Sequence, residues 1–251
     1  MKKYAMVFDA GTGAGRCNLF DMSGRLVSYA YREWEYLKDL SSSNKEAMLF
    51  DAEQFKKILF SLCRKVITQA GISADEIVAV SATSQREGMV WLDRFGKEIY
   101  AAPSVDLRGE EATDILSGKE PFIKEITGLP VSGMFGLARL LWYKKFNEAV
   151  YDRIDTVMMI SDWICYLLCG SKVSEPSVAS SSQLFDVKNG KWSSELLKSV
   201  GLRTDIFPEI SDFGEQIGTV TKEAACETGL KEGTPVILSL IHISEPTRQE
   251  A

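Results

Sequence analysis

The first fifty residues are written in short alternating runs, and the next twenty in a helical period. Tyr4 to Phe8 is a brief β-prone run ending in Asp9, and the glycine-rich stretch Gly11-Thr12-Gly13-Ala14-Gly15 separates it from a second run, Arg16 to Phe20. A second turn at Met22-Ser23-Gly24 opens a third run, Leu26 to Trp34, so the pattern predicts a three-stranded antiparallel meander. From Asp51 the period changes. Phe55, Ile58, Leu59, Leu62, Cys63, Val66 and Ile67 recur at steps of three and four, the apolar stripe of an amphipathic helix, with Asp51 suited to its N-cap and Gly71 to its end. Ile77 to Ser81 reads as a buried strand, Met89 to Leu92 and Glu98 to Ala101 as a pair around the turn Asp93-Arg94-Phe95-Gly96. Helical spacing returns at Leu137 to Phe146 and Asp162 to Leu168. Strands in a meander followed by a helix and a further strand predict a mixed sheet packed between helices, an α/β domain.

Composition narrows the partners. With 251 residues, 45% hydrophobic, the chain can bury a substantial core, and a net charge of -6 offers no positive field for nucleic acid or an anionic membrane. A small-molecule partner is expected. The five cysteines, Cys17, Cys63, Cys165, Cys169 and Cys226, form no CxxC pair and read as reduced, buried residues, even though Cys165 and Cys169 could share a helix face. No run reaches the roughly 20 apolar residues of a membrane span, and the few before Asp9 are too short for a signal segment, so a cytoplasmic protein is expected.

Three motifs carry candidate chemistry. In Asp9-Ala10-Gly11-Thr12-Gly13-Ala14-Gly15-Arg16 the glycines let backbone N–H groups approach an anion, Thr12 adds a hydroxyl, and Asp9 at a strand end can hold a hydrated magnesium ion. A glycine-rich hairpin with no ligand fits the same residues. The motif lacks the Lys-Ser/Thr of a Walker loop, and a strand rather than a helix follows it, unlike a dinucleotide fingerprint. Ser84-Gln85-Arg86-Glu87-Gly88 offers an amide, a guanidinium and a carboxylate to a polyhydroxylated ligand, or else is a solvated charged turn. Asp106-Leu107-Arg108 reads as part of the same site or as an exposed ion pair of little energetic weight.

In this order the motifs resemble the FGGY carbohydrate kinases of the actin, heat-shock ATPase and hexokinase superfamily. The likeness runs from Tyr4 to Ile237 and includes Gly128-Leu129-Pro130, Ala138-Arg139-Leu140-Leu141-Trp142, Ile160-Ser161-Asp162-Trp163, Glu175-Pro176-Ser177 and Gly233-Thr234-Pro235-Val236. Within the family it is greatest to the autoinducer-2 kinases, with xylulose and glycerol kinases next. The resemblance implies a ribonuclease-H-like domain with a mixed sheet flanked by helices. It also implies ATP and Mg2+ as donor and cofactor, and phosphoryl transfer to a hydroxyl of a small sugar, polyol or related compound. Carried over, Asp9, Gly11, Thr12, Gly13 and Arg16 fall on the phosphate and magnesium loop, and Gln85, Arg86, Glu87 and Asp106 on substrate-binding positions. These four are expected to line one solvent-open face on the side of Thr12. Two departures stand out. Ala14 occupies a position that is usually serine, and Ser104 one that is often tryptophan, which removes an apolar wall from a glycerol or xylulose pocket.

After Ile237 the family continues with a glycine-rich turn carrying the aspartate that acts as general base, yet no aspartate follows Asp212 here. Leu238 to about Gln249 instead resembles the translation of sequencing-adapter DNA. The expected organisation is therefore a substrate-binding N-terminal domain over 1–237, a non-native tail over 238–251 and no C-terminal kinase domain. His242, the only histidine, is expected to have no catalytic part. The expected function is that of a kinase fragment, itself inactive; a sugar- or nucleotide-binding module of the same fold is the alternative. An actin-like ATPase has no use for acceptor residues such as Gln85, Arg86 and Glu87. A homodimer of the full-length protein is left open.

Overall fold

A computed structural model describes residues 3–238. Strands β1 (Tyr4–Ala10), β2 (Ala14–Asp21) and β3 (Leu26–Glu33) pair antiparallel in chain order, as the alternation predicts. Alternate side chains of β1, namely Tyr4, Met6, Phe8 and Ala10, are buried, and they meet the apolar stripe of helix α1 (Ala52–Ala70). The caps of α1 are those read from the sequence. The Asp51 carboxylate accepts from the Gln54 N–H at 3.0 Å, and Gly71 ends the helix at φ 63°, a left-handed conformation that glycine adopts without a Cβ penalty.

Strand β4 (Ile77–Ser84) then returns beside β1 and parallel to it, three residues longer than the pattern indicates. A three-stranded sheet follows, formed by β5 (Met89–Leu92), β6 (Glu98–Ala102) and, after helix α2 (Gly136–Phe146), β7 (Thr156–Met159). The sequence reading missed β7. Its last three residues, Val157, Met158 and Met159, run without a turn signal into helix α3 (Ile160–Cys169), so periodicity shows one uninterrupted apolar stretch. Strands β8 (Gln216–Thr219) and β9 (Pro235–Ile237) complete the main sheet in the order β8-β9-β4-β1-β2-β3, with β9 parallel to β4.

Two apolar cores result. One joins the main sheet to α1 and α3; the other gathers Trp91, Leu140, Leu141, Met159 and Leu184 around the small sheet and α2. Cys17, Cys63 and Cys165 lie in the first core, whereas Cys226 is exposed, contrary to the expectation that all five are buried. Helix α4 (Lys222–Thr228) turns this position outward, and a short thiol there needs no apolar contact. Leu238, where the family pattern was read as ending, is buried and its N–H donates to the Glu215 carbonyl at 3.0 Å. The remainder of the expected tail, including His242, lies outside the described residues.

The start of α3 carries a buried acid. Asp162 accepts from the Ser174 hydroxyl and from the backbone N–H groups of Met159 and Glu175, tying the helix N-terminus to the following loop. Burial nevertheless dominates and pushes its pKa from 3.8 up to about 7, with the nearby Glu175 carboxylate adding to the rise. For an acid raised in the folded state, the stabilising contribution is complete below the unfolded value and is lost as pH climbs through the folded one. Urea unfolding at pH 5 and pH 8 should show the wild-type chain losing roughly 3 kcal/mol from this group, and Asp162→Asn should flatten that dependence. Equal pH slopes in both chains would remove Asp162 as the cause.

Candidate active site

The two leading motifs meet at one edge of the sheet. β1 and β4 are parallel neighbours with Ala10 opposite Ser84, so the segments leaving their carboxyl ends, Gly11-Thr12-Gly13 and Gln85-Arg86-Glu87-Gly88, lie side by side. The carboxyl edge of parallel strands is where open α/β sheets receive ligands, because the chain there leaves the sheet in loops free to shape a site.

The first loop is tight and backed by aromatic rings. Gly11 N–H donates to the Ala14 carbonyl at 3.0 Å, and the Gly13 carbonyl accepts from Trp34 N–H at 3.2 Å. Trp34 stacks on Phe55 with ring centres 3.9 Å apart, and Phe55 in turn on Phe50. Gly15 is required by this packing, since a Cβ there would stand 2.5 Å from the Trp34 ring. Thr12 and Gly13 are exposed, and their N–H groups make no hydrogen bond with a described residue. Asp9, on the last turn of β1, holds an ion pair with Arg16 at 3.1 Å across the hairpin.

The second loop is clamped from beneath. Glu87 sits at φ 60°, left-handed and uncommon for a residue with a side chain, and Gly88 packs so closely that a Cβ would meet Ile160 at 2.5 Å. Arg139, fully buried on α2, donates to the Glu87 carbonyl at 3.0 Å and to the Ser104 carbonyl at 3.1 Å. Arg86 is exposed. The Glu87 carboxylate accepts no hydrogen bond from a described residue, and partial burial lifts its pKa above the ordinary range against the pull of Arg86 and Arg139.

Asp106 departs from expectation. It is neither open to solvent beside Thr12 nor part of an exposed ion pair: its side chain is 0% exposed. Its carboxylate accepts from Met48 N–H at 3.0 Å, Tyr100 hydroxyl at 2.6 Å and Arg108 Nε at 2.7 Å, while Arg139 Nε lies 3.9 Å away. Arg108 continues the network to Asp39 and to the Tyr143 hydroxyl, both at 2.8 Å, with its guanidinium over the Tyr100, Trp142 and Tyr143 rings. Burial and the Asp106 carboxylate hold the Tyr100 hydroxyl far above its ordinary pKa, so it remains a donor. Charges that suggest surface in sequence are thus the buried floor of the second loop, reached through Arg139.

Among the described residues no cluster of three or more His, Cys, Asp or Glu is arranged to hold a metal. A magnesium ion keeps most of its water and needs only one or two carboxylates when phosphates supply the rest, and Asp9 beside the outward N–H groups fits that demand. Likewise, no helix among the described residues is long and apolar enough to cross a membrane.

Residues 4–242 match the N-terminal domain of the FGGY family of carbohydrate kinases. The chain belongs to that family. It is 35% identical over 242 residues to the autoinducer-2 kinase of Yersinia enterocolitica, covering 94% of this chain but 45% of that protein, so it spans about half the length of the curated relatives it matches. Its fold is shared with xylulose kinase from Rhodospirillum rubrum, at TM-score 0.86 and 23% identity over 95% of this chain and 49% of that one. Glycerol kinase from Plasmodium falciparum, solved with ADP, superposes at TM-score 0.81 and 20% identity over 94% and 48%. The ribonuclease-H-like arrangement inferred from the motifs is therefore the fold of this carbohydrate kinase domain. Within it, Trp34, Tyr36, Ser104 and Arg139 support the two loops. The sequence marks Ser104 only as a departure from tryptophan and Arg139 only as part of the run Ala138 to Trp142, and it assigns no site role to Trp34 or Tyr36.

Proposed function

We propose that this chain is the acceptor-binding, N-terminal part of an ATP-dependent kinase that phosphorylates a hydroxyl of a small sugar, polyol or autoinducer-2-type compound. The observation that carries the reading is the convergence of the two loops on one edge: one presents two outward N–H groups beside Asp9, the other Arg86 and Glu87. Phosphoryl transfer relies on positioning and on stabilising charge around the moving group, and this edge offers means for both. ATP with magnesium supplies the phosphoryl group and neutralises its charge. The N–H groups of Thr12 and Gly13 receive phosphate oxygens, and Asp9 holds the hydrated cation. Arg86 donates to acceptor oxygens and Glu87 accepts from an acceptor hydroxyl. Asp106 serves acceptor binding from below, beside the Arg139 that holds the turn presenting those two side chains.

The acceptor hydroxyl has to surrender its proton to a base, and the family resemblance puts that aspartate beyond Ile237, together with a second domain. We propose that the 251 residues alone, which span about half the length of the curated relatives, bind acceptor without transferring phosphate. Arg86→Ala and Glu87→Gln, made in the chain extended to the length of its curated relatives, should each lower kcat/KM for the acceptor roughly 10–100-fold, the worth of a charged hydrogen bond. Values within twofold of wild type on autoinducer-2, xylulose and glycerol would remove the acceptor assignment.

A further inference from the structure

A carboxamide has two N–H donors and two accepting lone pairs, and Gln85 has all four engaged. Its Nε2 donates to the Gly11 carbonyl at 3.4 Å and to the Tyr36 hydroxyl at 2.9 Å, and its Oε1 accepts from the Ser104 N–H and hydroxyl, both at 2.9 Å. The amide cannot be turned over. Ser104 N–H can only donate and the Gly11 carbonyl can only accept, so these partners fix which end is oxygen. The Gln85 backbone is committed as well, its N–H donating to the Ala10 carbonyl at 2.9 Å. No capacity remains for a sugar hydroxyl.

The chain of contacts continues into the glycine loop. Tyr36, while accepting from Gln85, donates its hydroxyl proton to the Thr12 carbonyl, which also receives the Trp34 indole N–H at 3.4 Å. In a planar trans peptide the C=O of one residue and the N–H of the next point in opposite directions. Drawing the Gly11 carbonyl toward Gln85 therefore turns the Thr12 N–H away from it, and drawing the Thr12 carbonyl toward Tyr36 does the same for the Gly13 N–H. These are the two N–H groups with no described partner.

We propose that Gln85 is a positioning residue, not an acceptor ligand: with Tyr36 it aims the Thr12 and Gly13 N–H groups outward as an anion cradle and joins that cradle to the Ser104 strand end. The inference rests on the kinase reading only for the natural identity of the anion. It concerns the one residue of the acceptor motif that the structure fully occupies elsewhere, and it adds Tyr36, which no motif contains.

The test uses the 251-residue chain, isotopically labelled, with inorganic pyrophosphate as the probe. In the wild-type chain, titration should move the Thr12 and Gly13 amide resonances. Gln85→Met, which keeps the side-chain length without its donors, and Tyr36→Phe should each weaken pyrophosphate roughly tenfold, the loss of one or two net hydrogen bonds. Because both act through one strut, the double variant should be no more than about twofold worse than the weaker single one. Amide exchange along α1 should be unchanged, separating aim from folding. In a parallel titration with xylulose, the shifts of the Arg86 and Glu87 amides should give affinities within about threefold of wild type in both variants, where a lost direct contact costs more. Failure of pyrophosphate to move Thr12 and Gly13 in the wild type, or unchanged pyrophosphate affinity in both variants, would overturn the proposal. So would loss of xylulose binding in Gln85→Met alone. Absence of turnover in the extended protein would instead count against the kinase reading and leave this measurement standing.

Discussion

Asp106→Ala is expected to destabilise the chain by about 3–5 kcal/mol, because it leaves buried guanidinium charge without its carboxylate. Arg108 and Arg139 both have side chains 0% exposed, and Asp106 is the carboxylate they share. Arg108 keeps Asp39 and Tyr143 in the variant, but Arg139 keeps only the two carbonyls it holds. For a chain of this length the loss corresponds to a fall in Tm of roughly 6–20 °C. Removing both charges tests the cause. Asp106→Leu combined with Arg108→Met should cost less than the sum of the two single changes, since apolar groups of similar volume replace a buried ion pair with little net loss. A single-variant cost below about 1 kcal/mol in denaturant titration would mean that the network is of the weak kind found at surfaces.

That expectation differs from the one the sequence supports, and the difference has a physical origin. A charged triplet such as Asp106-Leu107-Arg108 is nearly always solvated, and nothing local says otherwise. What buries it is Tyr100, Tyr143, Trp142 and Arg139, brought there by β6 and α2 from positions up to 35 residues away. Local pattern was a better guide where the cause was local. The period of α1 and its two caps, the three-strand meander and the hairpin of β5 and β6 all depend on contacts between near neighbours, and each stands as read. The glycine loop and the Gln85 to Gly88 turn were legible as motifs, but their adjacency was not. It follows from the parallel pairing of β1 with β4, a contact between segments some 70 residues apart. Nor could the residue types of Gln85 show that its amide is fully committed, for the same group in solvent would be the natural ligand of a sugar.

The second large effect concerns turnover. A positioned base contributes typically 10²–10⁴-fold, and closure of a second domain that orients the nucleotide and excludes water contributes further, so the chain alone should show no transfer above the uncatalysed background. Acceptor binding should persist, because Arg86 and Glu87 are held by contacts wholly within the described residues, through Arg139, Ser181 and Ile160. A chain that binds but does not turn over also answers the alternative of a binding module, provided that the extended protein behaves differently.

ATP- and magnesium-dependent phosphorylation of autoinducer-2, xylulose and glycerol, measured for this chain and for the same chain extended to the length of its curated relatives, separates these readings. Product is expected from the extended protein on at least one of these acceptors and none from the chain alone. Turnover by the chain alone would show that the base has been misplaced, and failure of the extended protein on every sugar, polyol and related carbonyl compound would contradict the kinase reading itself.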